Sequence, residues 1–173
     1  MNEINLNIQV LNNAKGKPEY SSQEASGLDL KAGIDNEIII KRNDFLVIPT
    51  GIIIEIPAGY EAQVRPRSGL AVKYGISVLN SPGTIDSDYR GELKVILINF
   101  GNKDFSISPG MRIAQLIIAP SYRAKINFVK KILNNTKRGK KGFGSTAKIY
   151  VNSADVPRRH CCRSRGTLSL LSI

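Results

Sequence analysis

A chain of 173 residues with 42% hydrophobic and 23% charged side chains can build one core and has little room for a second. Its net charge of +11 suggests a nucleic-acid or membrane-surface partner, but residues 1–122 sum to −1, residues 123–150 to +9 and residues 151–173 to +3, so a basic terminal arm carries the excess. No apolar run approaches the roughly 20 residues of a spanning helix, and the start MNEINLNIQV lacks the form of a secretory signal, so a cytoplasmic protein without a membrane partner is expected.

In chain order, Ile4, Leu6, Ile8 and Val10 alternate with polar residues, the pattern of a half-buried strand. β-Branched runs follow at Glu37–Lys41, Phe45–Ile48, Gly51–Ile56 and Tyr60–Arg65, then at Glu92–Phe100, Arg112–Ala119 and Ile126–Ile132. Turn signals separate them at Pro49, Pro57-Ala58-Gly59, Gly101-Asn102, Pro109-Gly110 and Pro120-Ser121. Many short strands at such spacing predict an all-β sandwich, jelly roll or barrel. The one helical segment is Ser68–Gly75, with Ser68 as N-cap and Gly75 at the C-terminal end.

Three segments carry chemistry. Arg67-Ser68-Gly69 opens the helix with backbone N–H groups, a residue without a side chain and a guanidinium fork, which together suit phosphate; a connecting helix with a surface arginine fits equally. In Asn80–Gly91, the Pro82-Gly83 turn precedes Asp86, Asp88 and Arg90, which on an extended chain share one face with Tyr89 on the other. A carboxylate beside a turn can activate water and a tyrosine ring can pack on a sugar, while the alternative is a solvated hairpin. Thr136–Ala147 sets Phe143 among glycines and cations, able to wrap a phosphorylated, base-bearing ligand or to serve as a basic linker. Residues 1–159 contain no histidine or cysteine, which excludes catalysis by either in that stretch and a disulfide framework there. The sequence His160-Cys161-Cys162 lacks zinc-site spacing, and no metal is expected there.

Read together, Ala25-Ser-Gly-Leu-Asp29-Leu30, Pro66-Arg-Ser-Gly-Leu-Ala71, Gly83-Thr-Ile-Asp-Ser-Asp-Tyr-Arg-Gly91, Arg112-Ile-Ala-Gln-Leu116 and Arg138-Gly-Lys-Lys-Gly-Phe-Gly-Ser-Thr146 closely resemble the five motifs of the homotrimeric dUTP diphosphatases (dUTPases), in family order. The resemblance implies an all-β, jelly-roll-like fold with one short helix. It divides the chain into a catalytic body over residues 1–134, a flexible nucleotide-closing arm over 135–150 and a tail over 151–173. It also implies a homotrimer that cleaves dUTP to dUMP and pyrophosphate with Mg2+, keeping uracil out of DNA and supplying dUMP for thymidylate synthesis. On this likeness Asp86 orients and deprotonates the attacking water, and Tyr89 lies under the deoxyribose. Asn80 with Gly83, Thr84 and Ile85 reads uracil, and Lys94 contacts the nucleotide. Arg67, Ser68, Gly69 and Gln115 hold phosphate, and Asp29 meets the magnesium shell through water. Phe143 covers the base, Arg138, Ser145 and Thr146 clasp the far phosphate, and Gly144 belongs to the substrate-binding residues.

Such chemistry rests on positioning and charge neutralisation, which agrees with a body that has no nucleophilic cysteine or histidine base. The arm departs from the family pattern: Lys141 stands where a second glycine is usual, and Ala147 replaces the last one. The tail NSADVPRRHCCRSRGTLSLLSI has no counterpart in the family and is expected to be non-native or disordered. Two alternatives are a dCTP deaminase of the same fold and a non-enzymatic nucleotide- or nucleic-acid-binding protein with a basic tail. Tyr89, Asp86 and the Phe143 arm follow the dUTPase pattern, and the charge points to a small polyanion rather than nucleic acid.

Overall fold

Short β-branched runs bury one face only when a second layer covers them, and the described residues solve this with eleven strands and one helix. A computed structural model describes residues 3–132 and 136–141. The chain divides into two units, Met1–Lys125 and Ile126–Ile173.

The first unit runs β1 (Asn7–Val10), β2 (Gly27–Lys31), β3 (Ile38–Ile40), β4 (Phe45–Pro49), β5 (Ile52–Glu55) and β6 (Tyr60–Pro66). Then come α1 (Ser68–Tyr74), β7 (Ile76–Val78), β8 (Gly83–Ile85), β9 (Lys94–Asn99), β10 (Phe105–Ile107) and β11 (Arg112–Pro120). Every pairing is antiparallel: β2-β11-β6-β8 and β4-β9-β7 form the larger sheets, with β1-β5 and β10-β3 as two-stranded ribbons. This is an all-β, jelly-roll-like arrangement with a single short helix. Leu28, Leu30, Val64, Ala114 and Leu116 from the four-stranded sheet meet Ile48, Val95, Leu97, Ile76 and Val78 from the three-stranded one in a common core. Burying each large aliphatic side chain contributes about 1.5–3 kcal/mol.

Most strand boundaries fall within two residues of the hydrophobic runs. Three expectations fail. β1 is exposed along its whole length, and among the described residues it pairs only with β5; Ile4 and Leu6, outside its bonded part, are the half-buried residues. Ser68 is not the N-cap: Arg67 holds that position with φ −89° and ψ 126° and no side-chain cap bond, and Ser68 is already helical. Pro66 ends β6 immediately before, and the Arg67 side chain is drawn away to a carboxylate described below. At the other end Gly75 caps as expected in the left-handed region at φ 71°, its N–H donating to the Ala71 carbonyl.

The third failure is Ile126–Ile132. These residues form no strand, and Phe128 is 98% exposed. A strand exists only against a partner edge, and the described residues of the second unit supply none. Within that unit, residues 136–141 form a turn in which Gly139 N–H donates to the Thr136 carbonyl and Lys141 N–H to the Arg138 carbonyl. No helix among the described residues is long and apolar enough to cross a membrane.

Candidate active site

The four-stranded sheet carries Asp29, Gln115, Gly83, Thr84 and Ile85 of the site residues. Leu28, Leu30, Ala114, Leu116 and Val64 point into the core, so Asp29, Gln115 and Arg65, which stand opposite one another across β2, β11 and β6, share the other face. A register shift between Arg112 and Ala114 pairs Arg112 with Lys31 instead of Ala32. Because a one-residue slip turns a side chain to the opposite face, this bulge brings Arg112 onto the face of Asp29.

There Asp29, only 8% exposed, receives three donors. Arg67 Nε donates to Oδ1 at 2.9 Å; Arg112 Nη1 and Ser21 Oγ donate to Oδ2 at 3.0 and 2.7 Å. Burial opposes its charge, but the Ser21 hydrogen bond and the charges of Arg67 and Arg112 outweigh this and hold its pKa below 3.8. Arg67 also reaches the Arg112 carbonyl at 3.4 Å, and Gln115 Nε2 donates to the Pro66 carbonyl at 3.0 Å. Both bonds secure the exit of β6 into α1. At that entry Gly69 needs no special conformation, and a Cβ there would meet nothing within 4 Å. The bare backbone at Gly69 thus leaves the start of α1 uncovered.

β8 builds a second locus. Gly83, Thr84 and Ile85 pair with Val64, Gln63 and Ala62, and the Asn80 amide lies close against Gly83, where a Cβ would stand 3.1 Å from Nδ2. The chain then turns, Tyr89 N–H donating to the Asp86 carbonyl at 3.1 Å. Between the extended and turned alternatives for this segment, the structure has the turn. The turn groups Asp86 with Tyr89, Thr84, Ile85 and Lys94 around a cavity of about 230 Å³, while Asp88 and Arg90 line a different one of about 740 Å³. Tyr89 lies across Gly91, where a Cβ would come within 2.3 Å of its hydroxyl oxygen, and that hydroxyl donates to the Glu92 carbonyl at 3.1 Å. The Glu92 carboxylate accepts from Asn13 Nδ2 and Gly51 N–H at 2.9 and 2.8 Å, fixing the wall beneath the tyrosine.

The two loci are separate within one chain. The cavity of about 450 Å³ beside Asp29, lined by Ser21, Lys31 and Arg112 among others, shares no residue with the Asp86–Tyr89 cavity. Three strand spacings, about 14 Å, divide β2 from β8. Arg138 is described in the second unit, where its Nε donates to the Lys141 carbonyl at 3.0 Å. Phe143, Gly144, Ser145 and Thr146 lie outside the described residues, as do positions 151–173. Among the described residues no cluster of three His, Cys, Asp or Glu side chains could hold a metal.

The motif reading assigned no part to Ser21, Glu92 or Gly91. Ser21 sits in a polar run, SSQEAS, without periodicity, and only the bridge of the preceding Tyr20 with Leu28 of β2 reveals its contact. Arg112 opened a recognised motif, but no role could be read from its spacing.

Comparison with known proteins places these features in a family. The dUTPase family model matches residues 14–147. The deoxyuridine 5'-triphosphate nucleotidohydrolase of Rickettsia prowazekii is 55% identical over 147 residues, covering 84% of this chain and 99% of that relative. The protein of the same name from Syntrophotalea carbinolica is 49% identical over 146 residues, with the same shares covered. Among solved structures, a Staphylococcus bacteriophage 80alpha dUTPase with dUpNHpp superposes with a TM-score of 0.74 at 25% identity, covering 82% of this chain and 97% of that one. A mutant dUTPase from phage phi11 of S. aureus, described with a structural Mg(II) ion, shares the fold with a TM-score of 0.67 at 22% identity over 75% of this chain and 99% of that one. The chain therefore belongs to the dUTPase family and is an enzyme, a dUTP diphosphatase.

Proposed function

We propose that the chain hydrolyses dUTP to dUMP and pyrophosphate with Asp86 as the general base and Mg2+ as a nucleotide-borne cofactor. The observation that carries this reading is the turn that sets Asp86 and Tyr89 around one cavity with Thr84, Ile85 and Lys94. Asp86 is exposed and directly follows β8, so its carboxylate can orient a water and take its proton as the water attacks the α-phosphorus. The bond from that phosphorus to the bridging oxygen breaks, and pyrophosphate leaves. Tyr89, held over Gly91, offers its ring to the sugar and leaves no room for a 2′-hydroxyl. Asn80 and the backbone of Gly83, Thr84 and Ile85 read the uracil edge, while Lys94 contacts the nucleotide.

Arg67 supplies charge to the phosphates at the uncovered start of α1, beside Ser68 and Gly69, with Gln115 securing the backbone that presents them. The donor set fits an ion brought by the triphosphate. Magnesium retains several waters and takes few carboxylates besides phosphate oxygens, and Asp29, already bonded through both oxygens, can reach it through water. When bound, the ion polarises phosphate oxygens and offsets their charge.

Asp86 and Asp29 must serve one triphosphate, yet about 14 Å of sheet separates β8 from β2. A second copy of the chain then completes the site, and the family likeness gives the assembly as a homotrimer, with the base-side cavity of one copy facing the phosphate side of another. Arg138, Phe143, Gly144, Ser145 and Thr146 of the arm close over base and far phosphate, leaving residues 1–134 as body and 151–173 as a dispensable tail. The cysteine-free body suits a cytoplasmic enzyme that keeps dUTP low and supplies dUMP.

The test is incubation with Mg2+ and dUTP, dCTP, dTTP or UTP, assaying pyrophosphate and ammonia. Pyrophosphate from dUTP alone is the expected result. Ammonia from dCTP marks a deaminase, and neither product marks a binding protein.

A further inference from the structure

We infer that Ser21 is a positioning residue for phosphate binding, acting through Asp29 on Arg67. The inference rests on the functional reading above and assigns a part to a residue outside the five motifs.

The backbone delivers Ser21 to its place. Asp29 N–H donates to the Glu19 carbonyl at 3.0 Å, and Tyr20 makes an antiparallel bridge with Leu28. Residues 19–21 thus lie along β2 and carry the Ser21 hydroxyl to the Asp29 carboxylate. The hydroxyl donates to Oδ2 at 2.7 Å, the shortest of the three bonds that carboxylate receives.

Geometry explains why a hydroxyl matters between two guanidinium groups. A carboxylate contacted only by cations can swing about its Cβ–Cγ bond and share its oxygens between them. Ser21 and Arg112 together claim Oδ2, so Oδ1 is left to Arg67 Nε at 2.9 Å. The Arg67 side chain is thereby anchored by its inner nitrogen, with Nη1 against the Arg112 carbonyl. An arginine held in this way meets a phosphate without first losing its rotamer freedom, which lowers the cost of ordering it on binding. Without the hydroxyl, the carboxylate plane loosens and Arg67 must be ordered by the ligand.

Ser21→Ala and Ser21→Thr in the full chain test this. Three quantities are measured: kcat and KM for dUTP, affinity for the non-hydrolysable α,β-imido-dUTP against deoxyuridine, and the Arg67 Nε–H resonance. The alanine variant is expected to weaken the triphosphate analogue about fivefold, less than the roughly tenfold or more of a directly lost charge-assisted hydrogen bond because Ser21 acts through Asp29 and Arg67, and to raise KM more than it lowers kcat. Deoxyuridine affinity stays unchanged, the Arg67 resonance broadens by faster exchange, and threonine restores all three. An analogue affinity within twofold of wild type with an unaltered resonance overturns the inference. An equal loss for deoxyuridine also overturns it, since that marks general structural damage. A wild-type chain that releases no pyrophosphate refutes the functional reading instead, and the Arg67 resonance then decides the Ser21 contact by itself.

Discussion

Replacing Asp29 by asparagine keeps the shape of the side chain and removes the charge that two arginines face. The carboxylate side chain is 11% exposed, and those of Arg67 and Arg112 are 26% and 51% exposed. Removing one partner of a fully buried pair costs about 3–5 kcal/mol. Here water can resolvate both guanidinium groups, and the amide still accepts from one donor, so a loss of about 2 kcal/mol is expected. For a folded unit of this size that lowers the melting temperature by about 8 °C, measured by circular dichroism at fixed protein concentration. The effect carries a pH signature. Folding lowers the Asp29 pKa below 3.8, so its stabilisation is complete above the unfolded value and disappears as pH falls through the lower folded value. The gap between wild type and variant should match at about pH 7 and pH 5.5 and narrow below about pH 4. A melting shift under about 2 °C at neutral pH, or a gap that widens on acidification, would refute the reasoning.

Other outcomes follow from the same geometry. Asp86→Asn abolishes pyrophosphate release from dUTP while α,β-imido-dUTP still binds by calorimetry; near-native turnover would remove Asp86 from the role of base. Gly91→Ala places a Cβ within 2.3 Å of the Tyr89 hydroxyl oxygen, so the ring must move. The expected result is about a tenfold loss in the preference for dUTP over UTP, read as a ratio of kcat/KM values. If the arm closes over the nucleotide as proposed, deleting residues 138–147 cuts turnover by about 100-fold and leaves the proposed homotrimer intact by light scattering.

Periodicity and punctuation made much of the fold legible. The runs that became β4, β5, β6, β9 and β11 are apolar and bounded by Pro or Gly, and their buried positions alternate as a two-layer β protein requires, except for adjacent Ile113 and Ala114 at the β11 bulge. β2, β7, β8 and β10 escaped that reading: β7, β8 and β10 have only three residues each, and β2 carries the buried charge of Asp29 at its centre. Ile126–Ile132 shows the opposite error, a strand pattern without a strand, because alternation records what a segment can pair with and not whether a partner is present.

The sequence alone determined the family, the all-β class and the short list of chemically able residues, since motif order and side-chain type are properties of the chain. Only the tertiary structure decided which of them meet. Asp86 and Tyr89 share a cavity because of a turn that spacing could not distinguish from an extended segment. Arg112 faces Asp29 because of a one-residue bulge in β11, and Ser21 reaches the same carboxylate across eight positions of chain. The physical reason is the same in each case. A register or a turn is selected by the burial of many distant residues at once, so the direction of a single polar side chain is a consequence of the whole sheet.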